Sequence, residues 1–460
     1  MSEYSKLDKY VIIIAFISSF SFAFISNAVS IALPAIALEF HMSNIMQNWI
    51  VTIFLLVLAA ASVPFGKICG KYGLRRTYLW GIFIYIFSAL MSGLSPNETI
   101  LFIARIIQGI GTAILSVNVM ALITAQVSPK KRGQAIGINV TGVYIGLTLA
   151  PTISGIISHN IGWRWIFYIT IPLMLIVLYL LLRIDKEWFI DADKSLDVKG
   201  SALYMFGIIL LLYGFTILYD ITGILITIAA LIILVLFTRY ELRINNPVYD
   251  IKLFKNSKFI SANIASLISY FATFVVTYIL NYHFQYLEGL NAQTTGIILI
   301  FTPLLMAIFS PFSGKLSDKI DPQILAAIGM AIVSVALFGL CFLNENTPMY
   351  LIIISMILQG IGFGLFSSPN NNVIMGSVDK KDIGTASAST ATVRSIGQSF
   401  SLGLLTLVFA IVMGNVPIEP SNYNLLVTSS QITMIISTIL CVLAVILSLI
   451  GLKSDDVLNR

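Results

Sequence analysis

Fourteen apolar runs follow one another along this chain, separated by short polar breaks. A helix rises 1.5 Å per residue, so about 20 apolar residues cross the hydrocarbon of a bilayer. Inside that hydrocarbon every backbone N–H and C=O must be bonded within the protein, which leaves helices and closed barrels as the only spanning structures. The runs cover residues 10–32, 47–65, 78–95, 99–121, 134–157, 163–183, 200–219, 221–238, 259–281, 294–313, 323–343, 348–368, 385–414 and 430–452. The seventh and eighth form a tight pair joined near Asp220. The chain is 58% hydrophobic and 10% charged, against about 25% charge in a soluble domain. The first run follows the polar "MSEYSKLDKY" and lacks a small-residue cleavage pattern, so it reads as a first span and not a cleaved signal peptide. Cys69, Cys341 and Cys441 have no metal-binding or disulfide spacing.

Orientation follows from lysine and arginine. Alternate loops and both tails hold 24 of the 27 cations, among them Lys67, Lys71, Arg75 and Arg76; Lys130, Lys131 and Arg132; Arg183, Lys186, Lys194 and Lys199; and Lys380 and Lys381. The opposite loops hold Arg164 alone. Both termini are therefore expected in the cytoplasm, with an even number of spans. This asymmetry accounts for a pI near 9.0 without a nucleic-acid partner.

The chain also repeats itself. "IIQGIGTAIL" at Ile106–Leu115 matches "ILQGIGFGLF" at Ile357–Phe366, an offset that also aligns Gly133 with Gly384 and Gly146 with Gly397. "GKICGKYGLRR" at Gly66–Arg76 is echoed by "GKLSDKID" at Gly314–Asp321, with Asp318 where the first copy has Gly70. Repeated halves of six spans are a transporter signature. They leave the seventh and eighth spans as an inserted pair.

These stretches resemble the major facilitator superfamily, in particular its fourteen-helix drug–proton antiporter branch. "GKICGKYGLRR" is similar to the loop motif between spans two and three, here Gly66, Lys71, Gly73, Arg75 and Arg76, with Gly314, Asp318 and Lys319 in the repeat copy. "LFIARIIQGIGTA" is similar to the fourth-span motif, with Arg105, Gln108, Gly109 and Gly111. "GVYIGLTLAPTISG" is similar to the fifth-span antiporter motif, with Gly142, Gly146, Pro151 and Gly155. "WRWIFYITIP", "IALPAI" and "NWIVTIFLL" resemble the sixth, first and second spans of the branch. The resemblance implies an all-α integral membrane protein with the major-facilitator fold: fourteen transmembrane helices arranged 6+2+6. The N-terminal bundle would cover 1–185, the inserted pair with its linkers 186–258 and the C-terminal bundle 259–460. It further implies a monomer with a small-molecule substrate, protons as the coupling ion and no cofactor, while spans rich in Ile and Phe suggest a prokaryotic plasma membrane. Small residues on one stripe of the fifth span permit close helix packing, and Pro151 permits a bend.

Two charges fall well inside spans, Arg105 and Arg394. A buried arginine costs at least about 2.5 kcal/mol, so it faces a cavity or a partner. No carboxylate lies well inside a span. The three histidines read as loop or span-end residues. Many members of the branch carry an acid before the "ALP" segment, where this chain has "FISNAVSIALP", with Ile25 and Ser26. Asn27, Asn118, Asn139, Tyr144 and Asn263 are, with Arg394, candidates to line a cavity. The expected function is export of small hydrophobic or amphipathic compounds by alternating access. The alternative is export of a specific neutral or anionic metabolite, lipid or siderophore. A polytopic membrane enzyme is a remote third, since the acid–base or metal clusters it would use are lacking in the sequence. Without a GxxxxGK[ST] loop, ATP is not the expected energy source.

Overall fold

A computed structural model describes residues 5–190, 196–244, 246–249, 251–317, 319–378 and 383–458. Side chains at 129, 130, 133, 252, 254, 383–385, 387, 388 and 450–458 are also outside the description. Asp318, Lys194, Lys380, Lys381 and Arg460 therefore lie outside the described residues.

The described residues are helical almost throughout. The spans are α1 Lys6–Phe40, α2 Asn44–Tyr72, α3 Leu74–Gly93, α4 Glu98–Gln126, α5 Pro129–Asn160, α6 Trp165–Leu182, α7 Val198–Thr216, α8 Ile221–Glu241, α9 Ser257–Leu287, α10 Ala292–Leu316, α11 Pro322–Leu340, α12 Met349–Gly376, α13 Ile383–Val412 and α14 Tyr423–Leu458. Thirteen are long and apolar enough to cross a membrane. The other, α3, has 20 residues and begins with Arg75 and Arg76 in its first turn. At 1.5 Å per residue it reaches about 30 Å, one hydrocarbon thickness. Several helices outrun their apolar cores because polar caps extend them. Ser5 and Asp8 form a reciprocal capping box at the start of α1, and Asn97 accepts the Ile100 N–H at the start of α4.

Side-chain bonds sort the loops into two ends. At one, Gln126 at the end of α4 donates to Asp8 in the first turn of α1, and Lys186 before α7 donates to Gln126. This is the basic end. At the far end, Arg164 before α6 grips Glu39 at the end of α1 and donates to the Ser95 carbonyl before α4.

Helix α1 packs on α4, α5 and α6, while α4 packs on α2 and α3. In the second half α9 packs on α12, α13 and α14, while α12 packs on α10 and α11. Adding eight to each number of the first set gives the second. Between the sets run two seams, α2 against α13 and α5 against α10. Helices α7 and α8 pack on each other, and α7 lies against both α2 and α13. A separate apolar cluster holds them there, with Ala59 and Val63 of α2, Tyr204 and Leu212 of α7, Phe237 of α8 and Phe400 of α13. The linker after α8 contains a short 3-10 helix at Ile251–Lys255.

Candidate functional site

Closure at the far end is built from polar side chains reaching backbone across the two halves. Asn281 of α9 donates to the Ser30 carbonyl at 2.9 Å and Gln285 to the Ile31 carbonyl at 2.9 Å. Tyr282 and Tyr286 donate to Asn48 and Gln47 of α2. Asn44 of α2 donates to the Gly414 carbonyl after α13 at 3.0 Å. Residues His283–Leu287 form a π-helical turn within this contact. Such single turns widen a helix and often mark functional places. His283 itself is 2% exposed, and its Nε2 is 3.5 Å from Glu288 Oε1, too long for a good hydrogen bond.

The glycines of α5 divide between two partners. A Cβ on Gly142 would stand 2.6 Å from the Phe16 carbonyl oxygen, and one on Gly146 2.5 Å from that of Phe20. Both therefore pack α5 on α1, inside the first half. Gly155 faces the other half: a Cβ there would stand 2.3 Å from the Ala292 carbonyl oxygen of α10. On α10, a Cβ on Gly296 would stand 2.1 Å from the carbonyl oxygen of Pro151. Thr152 donates to the Gly296 carbonyl and Thr148 to that of Pro303, each at 3.2 Å. The seam α5–α10 thus closes backbone to backbone at its far end, which only small residues permit.

Below that closure, polar groups from several helices converge. Tyr144 of α5 and Ser310 of α10 share a hydrogen bond of 2.8 Å across the seam. Tyr270 of α9 lies within electrostatic reach of Tyr144 and Arg394, beside Ser367 of α12. Arg394 and Tyr144 are half-buried. Asn27 is half-buried too and bonds back to the Ala23 carbonyl, while Ser26 beside it bonds to Phe22. The remaining asparagines are braces. Asn118 is fully buried and bonds Cys69 of α2, Thr77 of α3 and the Ile114 carbonyl. Asn139 accepts from Ser19 of α1 at 2.6 Å. Asn263 accepts from Ser389 of α13 at 3.2 Å.

Arg105 is fully buried, about 10 Å below the far-end start of α4. Its Nε donates to the Ile50 carbonyl at 3.0 Å and its Nη1 to Gln108 at 2.5 Å. The guanidinium stands 4.2 Å from the centre of the Phe54 ring. Tyr85 of α3 and Tyr278 of α9 are its electrostatic neighbours. Among the described residues no carboxylate pairs with it. Its Nη2, Gln108 Nε2 and the Tyr278 hydroxyl are buried without a protein partner. Ring faces and carbonyls carry part of the charge; the unpartnered donors leave room for an acceptor. Gly109 and Gly111 lie behind this group and let α4 approach Phe54 of α2 and Tyr85 of α3.

At the basic end the loop motif is a helix-capping device. Gly66 lies within α2 with open space around it and makes no turn. Gly73 makes the turn, at φ 99°, a region that favours glycine. Where a Cβ on Gly73 would stand, the Glu187 carboxyl is 2.6 Å away. Glu187, from the linker after α6, accepts the N–H groups of Arg75 and Arg76 at 2.8 and 3.1 Å. It thus caps α3, where the helix dipole and free N–H groups favour an anion. In the repeat the residue aligned with Gly73 is Asp321, which caps α11 by accepting the Gln323 N–H at 2.8 Å. Each half therefore has an acid on the equivalent helix start, and the first half brings it from 112 residues away. Arg75 Nε donates to the Leu181 carbonyl at 3.4 Å, and Arg76 lies 5.7 Å from the Trp80 ring centre. A Cβ on Gly314 would stand 2.7 Å from Ser368 Oγ. Lys71 lies in the last turn of α2, and Lys319 in the loop after α10 with its N–H on the Leu316 carbonyl.

Comparison with known proteins agrees with this architecture. The profile of the Major Facilitator Superfamily matches residues 15–402. The riboflavin transporter RibZ of Clostridioides difficile is 29% identical over 97% of this chain and 98% of its own. The uncharacterized transporter YebQ of Escherichia coli is 30% identical over 87% of this chain and 89% of its own. The multidrug resistance protein Stp of Mycobacterium tuberculosis is 28% identical over 83% of this chain and 72% of its own. Repeated halves, buried arginine and matched length lead to one conclusion: this chain belongs to the major facilitator superfamily of membrane transporters.

Proposed function

We propose that the chain moves small amphipathic compounds, neutral or anionic and carrying an aromatic ring, across a bacterial plasma membrane by alternating access. The observation that carries the reading is the charge of the interior. The ionisable groups deep in the described spans are Arg105 and Arg394, with tyrosines around them, and no carboxylate sits among them. A membrane-embedded acid attracts a cationic solute; an arginine flanked by ring faces suits an electron-rich, flat one. RibZ carries riboflavin in its name and aligns with this chain almost end to end.

In this reading the basic end faces the cytoplasm, both termini included, and the far-end bonds hold the transporter closed to the outside. Residues 1–185 and 259–460 form the two rocking bundles around the inserted pair, and a single chain is the transporting unit. The matching helix contacts in the two halves support that division. The substrate sits between Tyr144, Tyr270 and Arg394, and proton influx drives export. Purified protein in vesicles tests the reading. Flux of a flavin or another neutral or anionic aromatic compound is expected, with an imposed pH gradient raising it. Robust flux of a hydrophobic dication with weak flux of neutral compounds refutes the substrate class, and no response to the gradient refutes the coupling.

A second reading is broad export of hydrophobic drugs, cations included. The likeness to Stp and to the drug efflux pump JefA of Mycobacterium tuberculosis, 26% identical over 84% of this chain, favours it. The same dication experiment separates the two.

A further inference from the structure

Where the inserted pair reaches the basic end, two carboxyl groups face one another. Asp197 caps α7: its Oδ1 accepts the Gly200 N–H at 2.8 Å and the Tyr240 hydroxyl at 3.1 Å. Glu241 ends α8 and is 2% exposed. Its Oε2 accepts the Tyr249 N–H at 3.1 Å. The other oxygen of each group, Asp197 Oδ2 and Glu241 Oε1, is buried without a hydrogen-bond partner. Both crowd the one place that Gly200 leaves vacant. A Cβ on Gly200 would stand 2.0 Å from Oδ2 and 2.2 Å from Oε1, so the two oxygens are within about 4 Å of each other.

Among the described residues, the groups around the pair do not neutralise it. Tyr240 faces it from α8 and Tyr249 from the linker, and Tyr204 of α7 stands beside Tyr249. From α13 comes Ser389, bonded to the Tyr249 hydroxyl. Burial pushes the Tyr249 phenol up to about 12, so it stays neutral. Among the described residues no lysine or arginine pairs with either carboxyl. Glu241 is buried and Asp197 half-buried, but the oxygens they turn to each other are both buried, and two carboxyls this close share one proton rather than both ionising.

We propose that Asp197 and Glu241 form a proton-binding site at the basic end of the α7–α8 pair, with one proton held between Oδ2 and Oε1. The site rests on residues other than those that meet the substrate, and it stands whether or not transport is proton-coupled. It is wired to the second half. Glu241 holds the Tyr249 backbone, Tyr249 holds Ser389 of α13, and Ser389 holds Asn263 of α9. An ionised carboxyl accepts a hydrogen bond more strongly than a protonated one. Loss of the proton therefore tightens the grip of Glu241 on this linker and sets two unpaired charges against each other.

Infrared spectra of the purified full-length chain, recorded from about pH 5 to about pH 9, where buried carboxyls titrate, test the site. The wild type is expected to keep a protonated-carboxyl stretch at neutral pH. Glu241→Gln should abolish it. Asp197→Asn should remove the like charge and lower the midpoint of the band by about one pH unit, a tenfold change in proton affinity. Thermal unfolding is the second readout. A carboxyl that binds its proton more tightly when folded adds stability at low pH, lost as pH rises through the folded midpoint. The wild-type Tm should therefore fall more steeply with rising pH than that of either variant. Absence of the band in the wild type overturns the proposal. So does an unchanged midpoint in Asp197→Asn, which would mean a lone desolvated glutamate. A carboxylate stretch that responds to sodium, potassium or calcium at fixed pH also overturns it, because a cation would then occupy the place of the proton.

Discussion

Gly296→Ala should force the far end open. The new methyl would sit 2.1 Å from the Pro151 carbonyl oxygen and 3.3 Å from Gly155 Cα. An ordinary contact needs about 3.4 Å or more, so α5 and α10 must part by about 1 Å. The hydrogen bonds from Thr152 to the Gly296 carbonyl and from Asn160 to Gln293, each already at 3.2 Å, would break. Overpacking of this kind costs about 1–3 kcal/mol. Here the cost falls on the far-end-closed state alone, because the two helices separate when that end opens. The equilibrium should therefore shift about 5- to 150-fold towards the open state. Spin labels at the exposed Ile161 and Glu288, one from each half, report the change as a new population at longer distance in pulsed dipolar spectra. Gly142→Ala is the matched control. Its methyl would stand 2.6 Å from the Phe16 carbonyl, within the first half, so it should lower Tm and leave the far-end distances as they are. Unchanged distances in a folded Gly296→Ala protein, or equal opening by Gly142→Ala, refute the reasoning.

Three further outcomes follow from the same geometry. Glu187→Ala strips the anion from the α3 start and should cost about 1 kcal/mol, read as a lower Tm. Asn118→Ala should cost about 1–3 kcal/mol, because it leaves buried partners on three helices unsatisfied, whereas Tyr144→Phe should slow transport with little change in Tm. Arg105→Lys should cut transport at least about tenfold while the protein still folds, since an ammonium cannot bond the Ile50 carbonyl and Gln108 in one plane and lie on Phe54; full activity in that variant removes Arg105 from the mechanism.

Periodicity and small-residue spacing made the helices and their packing legible. Runs of apolar residues give spans without any knowledge of partners, and Gly142 and Gly146 announce a close approach by their spacing alone. The partner is not written there. Gly155 continues the same stripe yet faces the other half, because α5 outlasts α1 as a neighbour. Polar residues in spans were legible as buried and ambiguous in role. Asn118 and Asn139 brace helices, while Tyr144 reaches across the seam, and no local pattern distinguishes them. Glu187 and the pair Asp197–Glu241 were invisible for a further reason. Each lies in or beside a charged linker where acids are ordinary, and their meaning comes from backbone brought close by the fold. The absent acid of the loop motif was legible; its replacement, filling the space that Gly73 leaves, was not.

The position of α7 has a mechanical consequence. In the proposed rocking of the two bundles, a helix touching both α2 and α13 cannot travel with both. Its hold on α2 includes a directional bond from the Tyr204 hydroxyl to the Ala59 carbonyl at 3.2 Å. Its hold on α13 is the edge of Phe215 on Phe400, centres 5.0 Å apart, beside the bare backbone of Gly403. Ring edges over a smooth surface slide at little cost, whereas a carbonyl hydrogen bond is lost within an ångström. In that proposed cycle, the α7–α8 pair would therefore ride with the first bundle and slide along α13. Such sliding would fall on the bridge from Glu241 through Tyr249 to Ser389, which joins the end of α8 to α13 by two hydrogen bonds of one residue.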